Sequence, residues 1–187
     1  MPLALRSRLR DLGTVLFTGP FRAVRHPDFR RFLTGQGISL VGTWMQSIAQ
    51  GWLVLELTRS AFAVGLTSTL ATLPILFFTL YGGVVADRVD KRRFIMALQT
   101  VMLVEAAVLA ALTLTNQVTV EWIWALAVLF GLATAFEVPA RQAFLVELVP
   151  AEDLVSAAAV NSTTYNLARV IGPAIAGIVV AIAGPGA

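Results

Sequence analysis

The sequence contains no cysteine and only one histidine, His26. Without cysteine the chain can form neither a disulfide framework nor a thiolate metal site, and His26 is interpreted as a surface residue rather than a ligand. We find no nucleophile–base set and no metal-ligand spacing, so we expect no metal, no cofactor and no enzyme. Gly82-Gly83 is not a phosphate-binding loop, because the lysine and hydroxyl spacing of that motif is missing.

Charge is scarce as well. Charged residues make up 13% of the chain and apolar residues 57%, whereas a soluble domain of this size carries about twice that charge. Residues 32–55 and 60–86 have no charge, and each exceeds the roughly 20 residues that cross about 30 Å of hydrocarbon. The sequence therefore predicts an all-α integral membrane protein with five transmembrane helices. The expected spans are about 32–56, 60–86, 94–116, 121–146 and 154–183.

The positive charges predict the orientation, because Lys and Arg near the span ends stay on the cytoplasmic side. Of the 14 Lys and Arg residues, only Arg59 would lie outside, and Arg169 lies within a span. The other twelve would share the side of the amino terminus: Arg6, Arg8, Arg10, Arg22, Arg25, Arg30, Arg31, Arg88, Lys91, Arg92, Arg93 and Arg141. We expect a multi-pass cell-membrane protein with a cytoplasmic amino terminus. The cations flank membrane spans, so no nucleic-acid partner is expected.

Two regions follow from this topology. Residues 1–30 are expected to be a cytoplasmic basic tail, and residues 31–187 a transmembrane domain. The chain ends at a turn signal, Gly184-Pro185-Gly186, which predicts that the sequence stops before a sixth span. Residues 52–57 and 144–148 are similar to each other, and a three-span unit that repeats must be inverted in the bilayer.

Polar residues of the first span form a stripe. They are spaced by 3, 4, 3 and 4 residues, which places them on one helix face: Gln36, Ser39, Thr43, Gln46 and Gln50. One interpretation is hydrogen bonding between helices, and the other is the wall of a cavity, to which Trp44 and Trp52 could add contacts with an apolar substrate. Gln46 and Gln50 are the substrate-pathway candidates of this stripe.

Ionisable residues also occur inside the later spans, where lipid disfavours them. Glu137 and Arg141 are four residues apart and can pair on one helix face, either as a structural pair or for substrate or proton handling. Arg169 shares a face with Asn166 and needs a carboxylate, a wet cavity or an anionic ligand. We assign Glu137, Asn166 and Arg169 to the substrate pathway. Glu105, near the midplane of the third span, is either a proton carrier or a neutral core residue.

A glycine and proline motif lies in the fifth span. Gly172 and Gly177 allow another helix to approach closely. Pro173 removes a backbone donor and is expected to bend the helix.

Two motifs resemble those of a known family. Residues 83–93, Gly-Val-Val-Ala-Asp-Arg-Val-Asp-Lys-Arg-Arg, resemble the signature loop between the second and third helices of the major facilitator superfamily. Asp90 stands where that pattern most often has glycine. Residues 169–177 resemble the fifth-helix Gly-Pro motif of its antiporter branches. More narrowly, residues 28–33, 139–150 and 161–177 resemble the siderophore-exporter and macrolide-efflux branch.

The resemblance implies the first half of a twelve-helix bundle in which two halves alternate access around a central site. Spans one, two, four and five would face the cavity, and span three would be peripheral. A conformational latch would be formed by Gly83, Asp87, Arg88, Arg92 and Arg93. The expected function is proton-coupled efflux of amphipathic small molecules, with the carboxyl-terminal half as a partner. The alternatives are a non-transporting scaffold or receptor, or a major facilitator importer.

Overall fold

The computed structural model describes residues 21–183, and these residues are helical almost throughout. The five long helices are α1 (Pro27–Thr58), α2 (Ala61–Ala86), α3 (Lys91–Leu114), α4 (Val120–Glu147) and α5 (Leu154–Ala183). Short 3-10 turns, Arg22–Arg25 and Ala151–Asp153, precede α1 and α5. Most of the predicted basic tail, residues 1–20, and the turn signal at residues 184–186 lie outside the described residues.

Local signals in the sequence explain where the helices begin and end. Arg59 follows α1 in a left-handed conformation, with φ of 52°. Ser60 then caps α2, because its hydroxyl accepts a hydrogen bond from the Ala63 amide at 3.3 Å. Asp90 caps α3 in the same way, accepting from the Arg93 amide at 2.8 Å. This capping bond gives a physical reason for an aspartate where the resembled signature loop most often has glycine.

Four of the five helices are long and apolar enough to cross a membrane, namely α2, α3, α4 and α5. Helix α1 has 32 residues, so its length is sufficient, but its composition falls short. The reason is the stripe of glutamine, serine and threonine residues, which lowers the hydropathy of every window along the helix. Of the five predicted spans, four are therefore supported by length and composition.

The helices pack as two close pairs, α2 with α4 and α1 with α5, while α3 lies against α4. The α2–α4 crossing depends on glycine. A Cβ atom on Gly82 would lie 2.5 Å from the Ala135 carbonyl oxygen and 3.1 Å from the Pro139 ring. Gly131 faces the Ala71 backbone and the Pro74 ring in the same manner. Small residues thus bring the two backbones together, as is usual where lipid offers no hydrophobic drive to helix association.

Two apolar clusters lie toward opposite ends of the bundle. One joins the start of α1, the end of α4 and the start of α5, and it contains Ala23, Phe29, Leu145, Val149, Ala157 and Val160. The other joins the end of α1 with α2, the end of α3 and the start of α4, and it contains Leu53, Val54, Ala63, Leu109, Ile123 and Leu126. The polar side chains of the spans lie in the layer between these two clusters.

Candidate functional site

The polar stripe of α1 faces its neighbouring helices. The Ser39 hydroxyl donates to the Gln99 side-chain oxygen of α3 at 3.0 Å, and the Gln36 amide donates to the Asn161 oxygen of α5 at 2.9 Å. The Gln46 amide donates to the Glu105 carboxylate at 2.8 Å. These contacts agree with the interpretation of the stripe as hydrogen-bonding glue.

The same stripe also lines a cavity of about 360 Å³, which we call the central cavity. Its polar lining includes Thr43, Gln50, Thr72, Thr134, Glu137 and Arg141. All five helices contribute, since α3 supplies Gln99 and Met102 and α5 supplies Tyr165. The third span therefore reaches this cavity through Gln99 and Met102, although it packs mainly against α4.

A larger cavity of about 660 Å³ lies between α1, α3 and the end of α5. Its lining is largely apolar, with Ile38, Leu103 and Val180 among its residues, and it has no charged side chain. The central cavity is the better candidate for a functional site, because it is the one that combines an ion pair with hydroxyl and amide groups.

Glu137 is the most constrained ionisable group of the central cavity. It is 3% exposed, and its Oε1 atom accepts hydrogen bonds from Arg141 Nη1 at 3.2 Å and from Gln99 Nε2 at 3.3 Å. The ion pair predicted from the spacing of Glu137 and Arg141 is thus present. Sequence reasoning missed Gln99, although an isolated amide within the apolar third span is a signal that could have identified it.

Glu105 lies away from the central cavity, buried between α3 and α1 with 2% of its surface exposed. One carboxylate oxygen accepts the hydrogen bond from Gln46. The other, Oε1, has no hydrogen-bond partner among residues 21–183. The site is therefore a buried carboxyl group with one amide donor, and its proton-carrier role stays a prediction.

Arg169 and Asn166 lie outside the lining of the central cavity, on an exposed face of α5. The Arg169 guanidinium is 5.7 Å from the centre of the Trp44 ring, a cation–π distance. Trp44 in turn meets the Tyr165 ring edge-on at 6.0 Å, and these two aromatic residues do line the cavity. The Asn166 amide donates to the Ser162 carbonyl of its own helix at 2.8 Å.

Four of the five predicted latch residues lie on the surface where α2 ends and α3 begins, and the fifth, Gly83, is half-buried near the end of α2. Asp87, Arg88, Arg92 and Arg93 are exposed, and within the described part of the chain their side chains form no ion pair. The neighbouring Lys91 differs, because its ammonium group pairs with Glu147 of α4 at 2.8 Å. The four exposed charges are therefore accessible to another segment.

A cluster at the start of α1 corrects the interpretation of His26. The His26 ring is 2.8 Å from Asp153 Oδ2, and Arg22 and Arg25 lie 3.3 Å and 3.7 Å from the same carboxylate. The Asp153 side chain is 1% exposed. His26 is therefore a partly buried partner of a carboxylate at the α4–α5 corner, a contact between distant segments that the sequence alone does not reveal.

The two glycines of the fifth-helix motif differ in their surroundings. A Cβ atom on Gly172 would lie 2.6 Å from the Trp44 Cβ atom and 2.9 Å from the Val41 carbonyl oxygen of α1. At Gly177 no described atom lies within 4 Å of that position. Close helix approach is thus present at Gly172, whereas at Gly177 it stays a prediction, because no described atom contacts that position.

We expect Gly172→Ala to destabilise the protein by about 1–3 kcal/mol, because the added methyl group forces α1 and α5 apart. Gly177→Ala is the matched control and should leave the melting temperature in detergent unchanged or slightly higher, because alanine favours helix. Thermal unfolding of both variants checks this difference. Equal melting temperatures would contradict the proposed α1–α5 contact.

Comparison with known proteins identifies relatives of the chain. The profile of one protein family, described as transmembrane secretion effector, matches residues 18–187. The Staphyloferrin A transporter of Staphylococcus aureus is 30% identical over 152 residues, which cover 81% of this chain and 38% of the relative. Macrolide efflux protein A of Streptococcus pyogenes is 25% identical over 154 residues, covering 82% of this chain and 38% of the relative.

A third relative is Enterobactin exporter EntS of Salmonella typhimurium, which is 28% identical over 159 residues, or 85% of this chain and 38% of the relative. No solved structure matches the chain. The chain thus spans about two fifths of the length of these curated relatives.

Proposed function

The chain belongs to the transmembrane secretion effector family of the major facilitator superfamily, and we propose that it is the amino-terminal part of a proton-coupled exporter of amphipathic small molecules. It is a multi-pass membrane protein. Its relatives are transporters by name, and two of the three are named as an efflux protein and an exporter. The substrate class, the coupling to protons and the direction of transport belong to the proposal.

The central cavity is the observation that carries this proposal. It holds a buried ion pair, Glu137–Arg141, beside hydroxyl and amide groups of α1 and α4. Buried charges between membrane helices are costly and mark substrate or ion pathways.

We further propose that all five long helices span the membrane, with α1 shielded from lipid by its neighbours. The amino terminus would be cytoplasmic, following the distribution of Lys and Arg. The pairing of α2 with α4 and of α1 with α5 supports an inverted repeat of three-helix units. A carboxyl-terminal half would complete the bundle and cover the exposed face of α5 that carries Asn166 and Arg169.

Proton coupling requires a group that can take up and release a proton during the cycle. Glu105 and Glu137 are the two buried carboxyl groups of the described spans. Glu137 faces the cavity with a permanent cation beside it, whereas Glu105 has only the Gln46 amide. We propose Glu105 as the proton-carrier candidate and Glu137 as a substrate-pathway residue.

An importer, and a scaffold or receptor, would each differ from an exporter in how a substrate moves across the membrane. An importer would concentrate its substrate in right-side-out vesicles, and a scaffold or receptor would bind a ligand without moving it. The test is transport of staphyloferrin A, enterobactin and erythromycin by the protein made from its native gene, in energised everted membrane vesicles. An exporter accumulates at least one probe and loses it when a protonophore is added. Binding without accumulation would overturn the proposal.

Gln50 provides a more local prediction. Its side-chain amide nitrogen is buried and has no hydrogen-bond partner among the described residues, and it lines the central cavity. If a substrate accepts this hydrogen bond, Gln50→Leu should raise the KM for the transported probe by about threefold to tenfold, corresponding to one lost hydrogen bond. Gln117→Leu, an exposed change between α3 and α4, is the control. An unchanged KM would remove Gln50 from the pathway.

A further inference from the structure

Gln99 of α3 connects α1 with the carboxylate of α4. Its side-chain oxygen accepts from the Ser39 hydroxyl at 3.0 Å, and its amide nitrogen donates to Glu137 Oε1 at 3.3 Å. A carboxylate can only accept hydrogen bonds, so the amide nitrogen must face Glu137 and the oxygen is left for Ser39. The two partners therefore fix the orientation of this amide.

The two donors to Glu137 have different mechanical consequences. Arg141 is on the same helix, four residues away, so it follows Glu137 whenever α4 moves. Gln99 belongs to α3, and it holds the carboxylate in place relative to another helix. A buried group with only an intrahelical partner could turn with its own helix, whereas the Gln99 bond opposes such a turn.

The position of Gln99 in the fold adds a second argument. Its side chain lies in the wall between the central cavity and the larger α1–α3 cavity. Among the described residues, the hydrogen bonds between α1 and α3 are Ser39–Gln99 and Gln46–Glu105. A shift of α1 away from α3 must therefore break or stretch the Ser39–Gln99 bond, and that change is transmitted to Glu137.

We propose that Gln99 is a positioning residue of the export cycle, which holds the Glu137 carboxylate at the central cavity and couples it to the position of α1. The inference rests on the proposed export function. Gln99 acts through Glu137 and needs no contact with the substrate. It gives α3 a part in the cycle, in contrast to the peripheral position that the resemblance implies for the third span.

The first test is a double-mutant cycle in the protein made from its native gene, with erythromycin as the probe in everted vesicles. Gln99→Met keeps the length of the side chain but removes both hydrogen bonds. We expect Vmax to fall about tenfold with KM within about twofold, because the carboxylate is misplaced while the other cavity contacts remain. Gln117→Met is the matched control and should behave as the unmodified protein.

The effect of Gln99→Met should largely vanish in a Glu137→Gln background, since residues that act through one another are not additive. Ser39→Ala is a milder variant that keeps the Gln99–Glu137 bond, and it should lower Vmax less. If Gln99→Met lowered Vmax by the same factor in the unmodified protein and in the Glu137→Gln background, the inference would be overturned. Such a result would indicate that Gln99 has a packing role alone.

The second test needs no substrate. A cysteine placed at Thr43, on the same α1 stripe, reports the position of α1 through its rate of reaction with N-ethylmaleimide. Gln99→Met should raise this rate about threefold, as expected for the loss of one hydrogen bond, and Gln117→Met should not. If no probe is transported but the labelling rate rises, the link between α1 and Gln99 stands and the exporter proposal fails. An unchanged rate would contradict the link itself.

Discussion

Replacing Glu137 with glutamine is expected to reduce the transport rate by about a hundredfold. The substitution keeps the shape of the side chain but leaves the Arg141 guanidinium, whose side chain is 15% exposed, without its carboxylate. Removing one partner of a buried ion pair lowers the folding stability by about 3–5 kcal/mol, because the other charge stays buried without its partner. Transport of the probe in everted vesicles measures the loss.

Two controls separate function from stability at this site. Glu121→Gln changes an exposed glutamate at the start of the same helix and should have no effect. The double variant Glu137→Gln/Arg141→Gln removes both charges, so its melting temperature should recover relative to Glu137→Gln while transport stays low. Normal transport by the single variant would exclude Glu137 from the pathway.

Replacing Asp87 with asparagine is the second large effect. Asp87 follows α2 directly and is exposed, so its charge is accessible to a partner segment. If it forms the latch that the signature loop implies, Vmax should fall by about tenfold while KM stays the same, because the change impairs the conformational step rather than binding. Asp28→Asn, at an exposed ion pair with Arg31 on α1, is the control.

A loss of substrate affinity in the Asp87 variant, with Vmax unchanged, would contradict the latch. It would place the carboxylate in the binding step instead. Wild-type kinetics in both variants would mean that the exposed charges of this loop are merely solvated.

The positions of the helices could be predicted from the sequence because long apolar stretches alternate along it with short polar connections. The Glu137–Arg141 pair could also be predicted, since a spacing of four residues places two side chains together within one helix. Both inferences concern a single segment. They require no knowledge of how the helices are arranged in space.

Contacts between helices could not be obtained in this way. Gln99 is 60 residues from Ser39 and 38 residues from Glu137 along the chain, and no periodicity relates them. His26 and Asp153 are 127 residues apart. Gly172 and Gly177 look alike in the sequence, yet only Gly172 meets another helix within the described residues. The direction in which a helix face points is decided by packing.

We propose that the cavity around Glu137 opens in turn to each side of the membrane. The chain has no cysteine, so a single cysteine at Thr134, one helical turn before Glu137, gives a clean reporter once any cysteine elsewhere in the native gene product has been replaced. The decisive measurement is the reaction of this cysteine with a membrane-impermeant thiol reagent, in right-side-out and in everted vesicles.

We expect the Thr134 position to be labelled from both sides, with a substrate probe lowering the rate of labelling. A cysteine at the exposed position Glu152, at the α4–α5 corner, is the control. It should react with the reagent from one side alone, and the substrate probe should not change its rate of reaction. Labelling of the Thr134 position from only one side under every condition would contradict alternating access. It would favour a binding module over a transporter.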